Sequence, residues 1–329
     1  MLNTLVNKTR LRFNHKFTIR EVEVPYFFQG PNPKSSFYEY LGYVKNHLPK
    51  LIRFSPYSTF SRVIKDEQNE ILVFYSAKCG SSSLKYFVKD YLNLFEWDSK
   101  MPLHAQKIPC LLSYDFKKNG EIFNWNTYHG YTKFLVMRDP YDRLVSYYSN
   151  RFLRQFIQRK AKQSSTITSS ATQYFLSNLS ISNQHDAITL SDISFKTMIE
   201  KMYAQYHTHG KVWDVHIALQ VTGDFKDVAL EEALIIDITQ MSELFAYWHK
   251  KNANENLQID LNLNTSSTKD AKIAPRAYDM TTQELSELKH SIHPYSFRHP
   301  KLEKLIKEMY ATDYEVWDKI TPLPFDEIA

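Results

Sequence analysis

The sequence predicts an α/β protein in which a central, mostly parallel sheet is flanked by helices in a three-layer arrangement. Two segments carry this prediction, because each is a short apolar run followed by a polar turn and a helical pattern. The first run covers residues 71–76 and the second covers 133–138. A third apolar run, 233–238, is also followed by a helical pattern. Strands that alternate with helices in this order typically form a parallel sheet whose faces the helices cover.

A helix is predicted after each strand because apolar residues recur there at spacings of three and four. After the second strand, Asp139 is suited to cap a helix and Pro140 to occupy its first position. Thr281 and Glu284 have capping-box spacing ahead of a later helix. The helix after the first strand is predicted to bury Leu84, Phe87, Val88, Tyr91, Leu92 and Phe95.

Two regions depart from this pattern. Residues 1–64 are rich in aromatic residues and prolines with weak periodicity, and we interpret them as an irregular N-terminal wrap ahead of one main domain, 65–329. Residues 161–183 are rich in serine and threonine and are predicted to form a mobile insertion or loop. The length of 329 residues is compatible with one large α/β domain or two small ones.

Composition restricts the class of protein and its partners. The formal net charge of +5, from 41 basic and 36 acidic residues, is too small to favour a nucleic-acid partner. Two cysteines, Cys79 and Cys110, do not make a disulfide scaffold and favour a reducing compartment. Residues 1–17 lack an apolar signal core, and no run approaches the roughly 18 apolar residues of a membrane helix. We therefore expect a cytoplasmic protein without a transmembrane segment.

A cradle for a phosphate-like anion is predicted between the first strand and its helix. Gly80 and Ser81–Ser83 lie where unpaired backbone N–H groups and the helix dipole favour an anion, and Lys78 adds a full charge. The alternative is a solvent-exposed, serine-capped helix with an incidental lysine. A Walker A loop is excluded because the lysine precedes the glycine. A cysteine-phosphatase loop is excluded because residue 85 is lysine instead of arginine.

A second anion site is predicted after the second strand. Arg138 ends that strand, and Ser146 lies on the following helix, on the same face as Arg143 and Asn150. An arginine at the carboxyl edge of a strand together with a helix hydroxyl is able to bind a second phosphate. The alternative is that Arg138 pairs with a neighbouring carboxylate, Asp139 or Asp142, and that the serine is structural.

Both segments resemble motifs of sulfotransferases that use 3′-phosphoadenosine-5′-phosphosulfate (PAPS). Residues 77–83, AKCGSSS, resemble the 5′-phosphosulfate loop P-K-x-G-[ST]-[ST]-[ST], with Ala77 where proline is usual. Residues 134–148, FLVMRDPYDRLVSYY, resemble the 3′-phosphate motif R-[DE]-P-x-x-R-L-x-S-x-Y. That form is typical of the carbohydrate branch, which includes the chondroitin, dermatan and heparan 2-O types.

The resemblance implies a P-loop-like fold and transfer of a sulfuryl group from PAPS to a hydroxyl by in-line displacement. It implies that Arg138 and Ser146 bind the 3′-phosphate and that Lys78 lies near the departing 5′-phosphate. The 5′ side would be bound by Lys78, Cys79, Gly80, Ser81, Ser82 and Ser83. No metal is expected in this scheme. The position of Cys79 near a helix N-terminus favours a thiolate, so we also expect alkylation to inactivate the protein.

Fainter likeness extends the resemblance to roughly residues 70–317. Residues 213–220 resemble a D-x-H-W-x-x-Q segment, with Ile217 where tryptophan is usual, which weakens a substrate role for His216. Residues 309–317 resemble a closing helix, Y-x-x-D-[FY]-x-x-[FW], and are expected to be structural. Residues 1–64 match no motif.

Two histidines are candidates for the general base, because a neutral imidazole suits that role near pH 7. His104 is favoured because its segment leads back toward the open end of the sheet. His129 directly precedes the second strand, at its amino end. His207, His209 and His216 have no persuasive spacing for a metal.

The expected acceptor is a hydroxyl of an oligo- or polysaccharide, and small hydroxylated metabolites remain open as alternative acceptors. Two other functions stay open from the residues alone. One is a nucleotide-dependent phosphoryl transferase, which would prefer ATP with magnesium. The other is a non-catalytic polysaccharide-binding protein, which would bind glycan without turnover.

Overall fold

The computed structural model describes residues 62–92, 111–113, 128–162, 190–209, 216–221, 226, 230–253, 271–288 and 290–320. Its strands are β1 (Arg62–Asp66), β2 (Ile71–Tyr75), β3 (Leu111–Ser113), β4 (Thr132–Met137) and β5 (Ala233–Asp237). Its helices are α1 (Ser81–Asp90), α2 (Pro140–Tyr148), α3 (Arg154–Lys162), α4 (Phe195–His209), α5 (Met241–Ala253), α6 (Thr282–Glu287), α7 (Pro300–Met309) and α8 (Ala311–Trp317). A π-helical turn, Ser149–Leu153, joins α2 to α3.

The five strands form one mixed sheet in the order β3-β1-β2-β4-β5. The three predicted strands are β2, β4 and β5, and they pair in parallel. Tyr75 lies opposite Val136, and Met137 lies opposite Asp237, so the carboxyl ends of these three strands meet at one edge. This is the edge at which both predicted anion sites begin.

Two strands were not predicted and make the sheet mixed. Strand β1 pairs antiparallel with β2, and the three-residue β3 pairs antiparallel with β1. Both are short, and β1 carries charged residues at each end, so neither gives the apolar run of a central strand. Arg62–Ile64, which the sequence placed in the N-terminal wrap, belong to β1.

Helices cover both faces of the sheet. Val73 and Tyr75 face α1 and α5, where the Phe87 and Phe245 rings stack with centroids 4.1 Å apart. The alternate residues of β2, Leu72 and Phe74, pack on the other face in a cluster that includes Val316 of α8, as expected from the period of two in a strand. A third cluster joins α2, α4, α6 and α7.

Local predictions at the helix ends are confirmed. The Asp139 carboxylate accepts a hydrogen bond from the Asp142 N–H at 3.0 Å, and Pro140 is the first residue of α2. Thr281 and Glu284 form the predicted capping box of α6. Helix α3 includes residues 161–162, the start of the predicted insertion, and the rest of that insertion, 163–183, lies outside the described residues. Within the described ranges, no helix is long and apolar enough to cross a membrane.

Candidate active site

The loop between β2 and α1 has the backbone of an anion cradle. Gly80 precedes α1 in the left-handed region with φ +71°, a conformation that glycine adopts without strain. A Cβ at this position would come within 3.3 Å of the Met241 side chain. The following residues, Ser81–Ser83, begin the helix, where backbone N–H groups lack intrahelical acceptors. Their dipoles make this end of α1 attractive to an anion.

Lys78 also has a left-handed backbone, with φ +69°. This conformation is uncommon for residues other than glycine, and it tends to occur where a functional loop requires it. The Lys78 carbonyl accepts a hydrogen bond from the Arg138 guanidinium at 3.5 Å. The lysine of the first predicted site and the arginine of the second are therefore in direct contact.

The two carboxylates that neighbour Arg138 in the sequence pair with a different arginine. Arg298 forms ion pairs with Asp142 at 2.8 Å and with Asp139 at 3.4 Å. The alternative pairing of Arg138 with these two aspartates is therefore not the one that the structure adopts. Ser146 is half-buried on α2, and its carbonyl accepts a hydrogen bond from the Asn150 side chain at 2.9 Å.

The buried side chain of Arg143 holds the first loop in place through a hydrogen bond to its backbone. It is 1% exposed, and its Nε donates a hydrogen bond to the Ala77 carbonyl at 3.0 Å. Its Nη1 donates to the carbonyl of Ala218. The sequence placed this residue only on the face of Ser146, although the quoted motif contains the arginine. Its burial and its reach to residue 77 depend on tertiary packing.

Gln220 connects both motifs through its side-chain amide. Oε1 accepts hydrogen bonds from the Arg138 N–H at 3.0 Å and from the Cys79 thiol at 2.8 Å. Nε2 donates to the Arg138 carbonyl at 2.9 Å. Because Arg138 offers both a donor and an acceptor, this orientation of the amide satisfies every contact. In the sequence this residue was marked only by the weak resemblance of the segment 213–220, which it ends.

Asp313 of α8 holds the backbone at that same end of the segment. Its carboxylate is fully buried and accepts hydrogen bonds from the Gln220 N–H at 2.8 Å and the Val221 N–H at 3.1 Å. Burial raises the pKa of Asp313 to about 6, although nearby Arg143 and the N–H donors oppose that rise. The sequence assigned the closing helix a structural part, and the structure places one of its carboxylates behind the site.

The prediction of a reactive thiolate at Cys79 is wrong. The side chain is fully buried and turned toward Gln220 and the Ser76 hydroxyl, which lies 3.2 Å from its sulfur. Burial raises the pKa of the Cys79 thiol, because a thiolate would be desolvated there. Its backbone N–H donates to the Ser76 carbonyl at 3.2 Å. Proximity to a helix N-terminus in sequence did not reveal that the side chain faces inward.

The histidines have different positions. His129 is exposed in the turn ahead of β4, at the amino end of that strand and therefore at the edge opposite the anion loop. His104 lies outside the described residues. His216 is half-buried, with Nε2 3.0 Å from Nη2 of Arg151. His207 is exposed and lies 3.1 Å from a carboxylate oxygen of Glu308. Within the described part of the chain, no three metal-ligating side chains form a cluster.

A model of the sulfotransferase family matches residues 61–319. The chain belongs to the sulfotransferase family. The matched range contains the whole sheet, both anion motifs and the residues Arg143, Gln220 and Asp313 that connect them. A search of the curated proteins and a search of the solved structures each found no significant match. Membership of this family supports sulfuryl transfer as the reaction of this protein.

Proposed function

We propose that this sulfotransferase moves the sulfuryl group of PAPS to a hydroxyl of a carbohydrate acceptor. The observation that carries the proposal is the contact of the Arg138 guanidinium with the Lys78 carbonyl, 3.5 Å apart, at the adjacent carboxyl ends of β2 and β4. Two anion-binding motifs then share one edge of the sheet. A nucleotide with phosphate groups at both its 3′ and 5′ positions is the ligand that uses both.

The 5′ side of the nucleotide is assigned to the loop and the start of α1. The N–H groups at the beginning of α1 suit a phosphate, and glycine at position 80 adopts the left-handed backbone ahead of them without strain. Lys78 supplies the charge that balances the departing 5′-phosphate. On the 3′ side, Arg138 and Ser146 supply a guanidinium and a hydroxyl to the second phosphate.

The reaction is an in-line displacement at sulfur. The acceptor oxygen forms a bond to sulfur while the bond from sulfur to the 5′-phosphate oxygen breaks, and that electron pair leaves on the phosphate. The acceptor hydroxyl loses its proton to a general base, for which His104 is our proposal. The protein contributes by positioning the reactants and by stabilising the charge that develops on the leaving group.

Nucleotide choice tests the donor. We expect 3′-phosphoadenosine-5′-phosphate (PAP) to raise the melting temperature by mass action, and AMP or ATP with magnesium to do so much less. Equal stabilisation by ATP and PAP would instead favour a phosphoryl transferase.

Turnover tests the acceptor. Labelled PAPS should be consumed in the presence of oligo- or polysaccharides, and small alcohols should be poor acceptors. The carbohydrate assignment depends on the branch-type motif at 134–148, so turnover of small alcohols alone would overturn it. Glycan binding without any label transfer would identify a non-catalytic protein.

The base is tested with two histidine variants. His104→Ala should lower kcat by about 10²–10⁴-fold, the usual contribution of general base catalysis, while PAP binding is preserved. His129→Ala is the matched control, because the turn ahead of β4 lies at the opposite edge of the sheet. Normal turnover by His104→Ala with loss in His129→Ala would exchange the two assignments.

A further inference from the structure

The side-chain amide of Gln220 connects the two anion motifs through hydrogen bonds. It is 1% exposed and contacts Cys79 in the first motif and both backbone groups of Arg138 in the second. Its partners are separated from it by 141 and 82 positions along the chain. This one planar amide thus connects the anion loop, at Cys79, with the end of β4, at Arg138.

Asp313 orients this amide. Its carboxylate accepts hydrogen bonds from the Gln220 N–H at 2.8 Å and from the Gln220 Nε2 at 3.3 Å. The backbone and the side chain of Gln220 are therefore held by the same group, which is itself fully buried. Rotation of the amide would place Nε2 against the Arg138 N–H and Oε1 against Asp313, so that donors face donors and acceptors face acceptors.

A second buried side chain, Arg143, limits movement in the same place. It donates hydrogen bonds to Ala77, at the start of the loop, and to Ala218, two residues before Gln220. The loop and the segment that contains Gln220 are therefore tied at two points. The spacing between Lys78 and Arg138 therefore depends on the buried side chains of Gln220 and Arg143.

We propose that Gln220, oriented by Asp313, is a positioning residue that sets the distance between the 5′-phosphate and 3′-phosphate sites. This inference depends on the proposed use of a nucleotide phosphorylated at both positions. Each site alone binds one phosphate. With Gln220 in place, one ligand can occupy both phosphate sites without a reorganisation of the loop. Such preorganisation increases affinity.

The proposal predicts a specific loss. Without the amide, each phosphate site persists, but their separation is no longer fixed. PAP then gains less from its second phosphate, whereas AMP, which occupies only the 5′ site, is affected little. A purely structural role of Gln220 would lower stability and leave the ratio of the two affinities unchanged. The ratio of the AMP and PAP dissociation constants is therefore the measurement that separates the two roles.

The principal variant is Gln220→Met, which retains the length of the side chain and removes its hydrogen bonds. We expect the ratio of the AMP to the PAP dissociation constant to fall by about tenfold, within the usual range for coupling between two sites. The matched control is Thr282→Val, because Thr282 is also fully buried and its hydroxyl bonds to the carbonyls of Leu190 and Ser191. The Thr282→Val variant should be less stable than the wild type and should keep the wild-type ratio of the AMP to the PAP dissociation constant.

A milder pair keeps the test valid if Gln220→Met does not fold. Cys79→Ser retains a donor to the Gln220 Oε1, and Cys79→Ala removes it while changing the side-chain volume similarly. We expect Cys79→Ala to lower the affinity ratio and Cys79→Ser to retain it. A wild-type ratio in Cys79→Ala and in any folded Gln220→Met would overturn the proposal. Equal binding of PAP and AMP by the wild-type protein is a different result, and it would refute the proposed function itself.

Discussion

Lys78 combines a charged side chain with a left-handed backbone, φ +69°, directly ahead of the buried Cys79. A lysine in this conformation is held there by its surroundings, since nothing in its own preferences favours it. One of those surroundings is the Arg138 guanidinium, which donates to its carbonyl. The backbone of Lys78 is therefore held by a residue of the second motif, although its side chain belongs to the first.

Removal of the Lys78 charge should abolish most turnover. Lys78→Ala is expected to lower kcat by a factor on the order of 10² or more, because the charge on the leaving phosphate loses its partner in the transition state. The measurement is label transfer from PAPS at saturating donor. Lys89→Ala is the control, because it removes a positive charge from the last turn of the same helix and should retain turnover. Comparable losses in both variants would indicate that Lys78 has no specific part in the reaction.

Cys79 should react slowly with thiol reagents in the folded protein. Its side chain is fully buried and its thiol pKa is raised, so both access and the thiolate fraction are low. A Cys110→Ser background leaves Cys79 as the single thiol. Its labelling should be slow in buffer, rapid in denaturant, and unaffected by PAP. Rapid labelling in buffer that PAP blocks would mean that the side chain faces the ligand.

The connection from β2 to α1 depends on Gly80. Gly80→Ala should destabilise the protein by about 1–2 kcal/mol, because an alanine is strained at φ +71°. Relief of this strain would shift the backbone ahead of the first turn of α1, while the added Cβ would lie 3.3 Å from the terminal methyl of Met241, so PAP affinity should fall.

Gly130→Ala is the matched control for this effect. Gly130 also has positive φ, +94°, but an added Cβ would meet nothing within 4 Å, and the residue lies in the turn ahead of β4. Chemical denaturation should show similar losses of stability in both variants, with PAP affinity reduced only in Gly80→Ala. If Gly80→Ala retains wild-type affinity, the first turn of α1 does not bind the nucleotide.

The parallel part of the sheet was predictable because β2, β4 and β5 are continuous apolar runs, each followed by a helix signal. The same local signals identified the caps at Asp139 and Thr281 and the glycine of the anion loop. Strand β1 was missed because its five residues, RVIKD, include three charged ones. Strand β3 has only three residues, too few for a periodicity.

The supporting contacts of the site were not predictable from local pattern. Gln220 meets Cys79 and Arg138 across 141 and 82 positions, and Arg143 meets Ala77 across 66. No period or spacing in the sequence encodes such contacts. The motif resemblance named the residues that are proposed to bind the anion, whereas the side chains that support them became visible only in the fold. The inward orientation of Cys79 is another consequence of this limit.

The residues that support the site come from elements far apart in the chain. Helix α8 supplies Asp313, the segment 216–221 supplies Gln220, and α2 supplies Arg143. A carboxylate, an amide and a guanidinium are thus buried together beneath the anion loop. Hydrogen bonds offset the cost of burying Asp313 and Gln220, so this network couples folding of α8 to the geometry of the site. Among the described residues, Nη2 of Arg143 is buried without a hydrogen-bond partner.

The protonation of Asp313 should make that coupling depend on pH. Its folded pKa, about 6, lies above the value of about 3.9 for an unperturbed aspartate. The folded state therefore binds the proton more tightly, and the free energy of unfolding from this group decreases as pH rises from about 4 to about 6, then stays level. The difference corresponds to roughly 3 kcal/mol. The stability of the wild type minus that of Asp313→Asn, measured by urea unfolding, should thus be larger at pH 5 than at pH 7.

The direction in which stability changes with pH tests this prediction. Asp279 should show the opposite direction. Hydrogen bonds from Lys196 and Arg276 lower the pKa of this half-buried carboxylate, so the stability of the wild type minus that of Asp279→Asn should become smaller as the pH falls. If Asp313→Asn behaves like Asp279→Asn, the folded pKa of Asp313 is low. Arg143 and the N–H donors of Gln220 and Val221 would then outweigh desolvation, and the carboxylate would be held as an anion behind the site. A larger advantage of the wild type at pH 5 instead establishes that desolvation dominates and that the network is most stable when Asp313 is neutral.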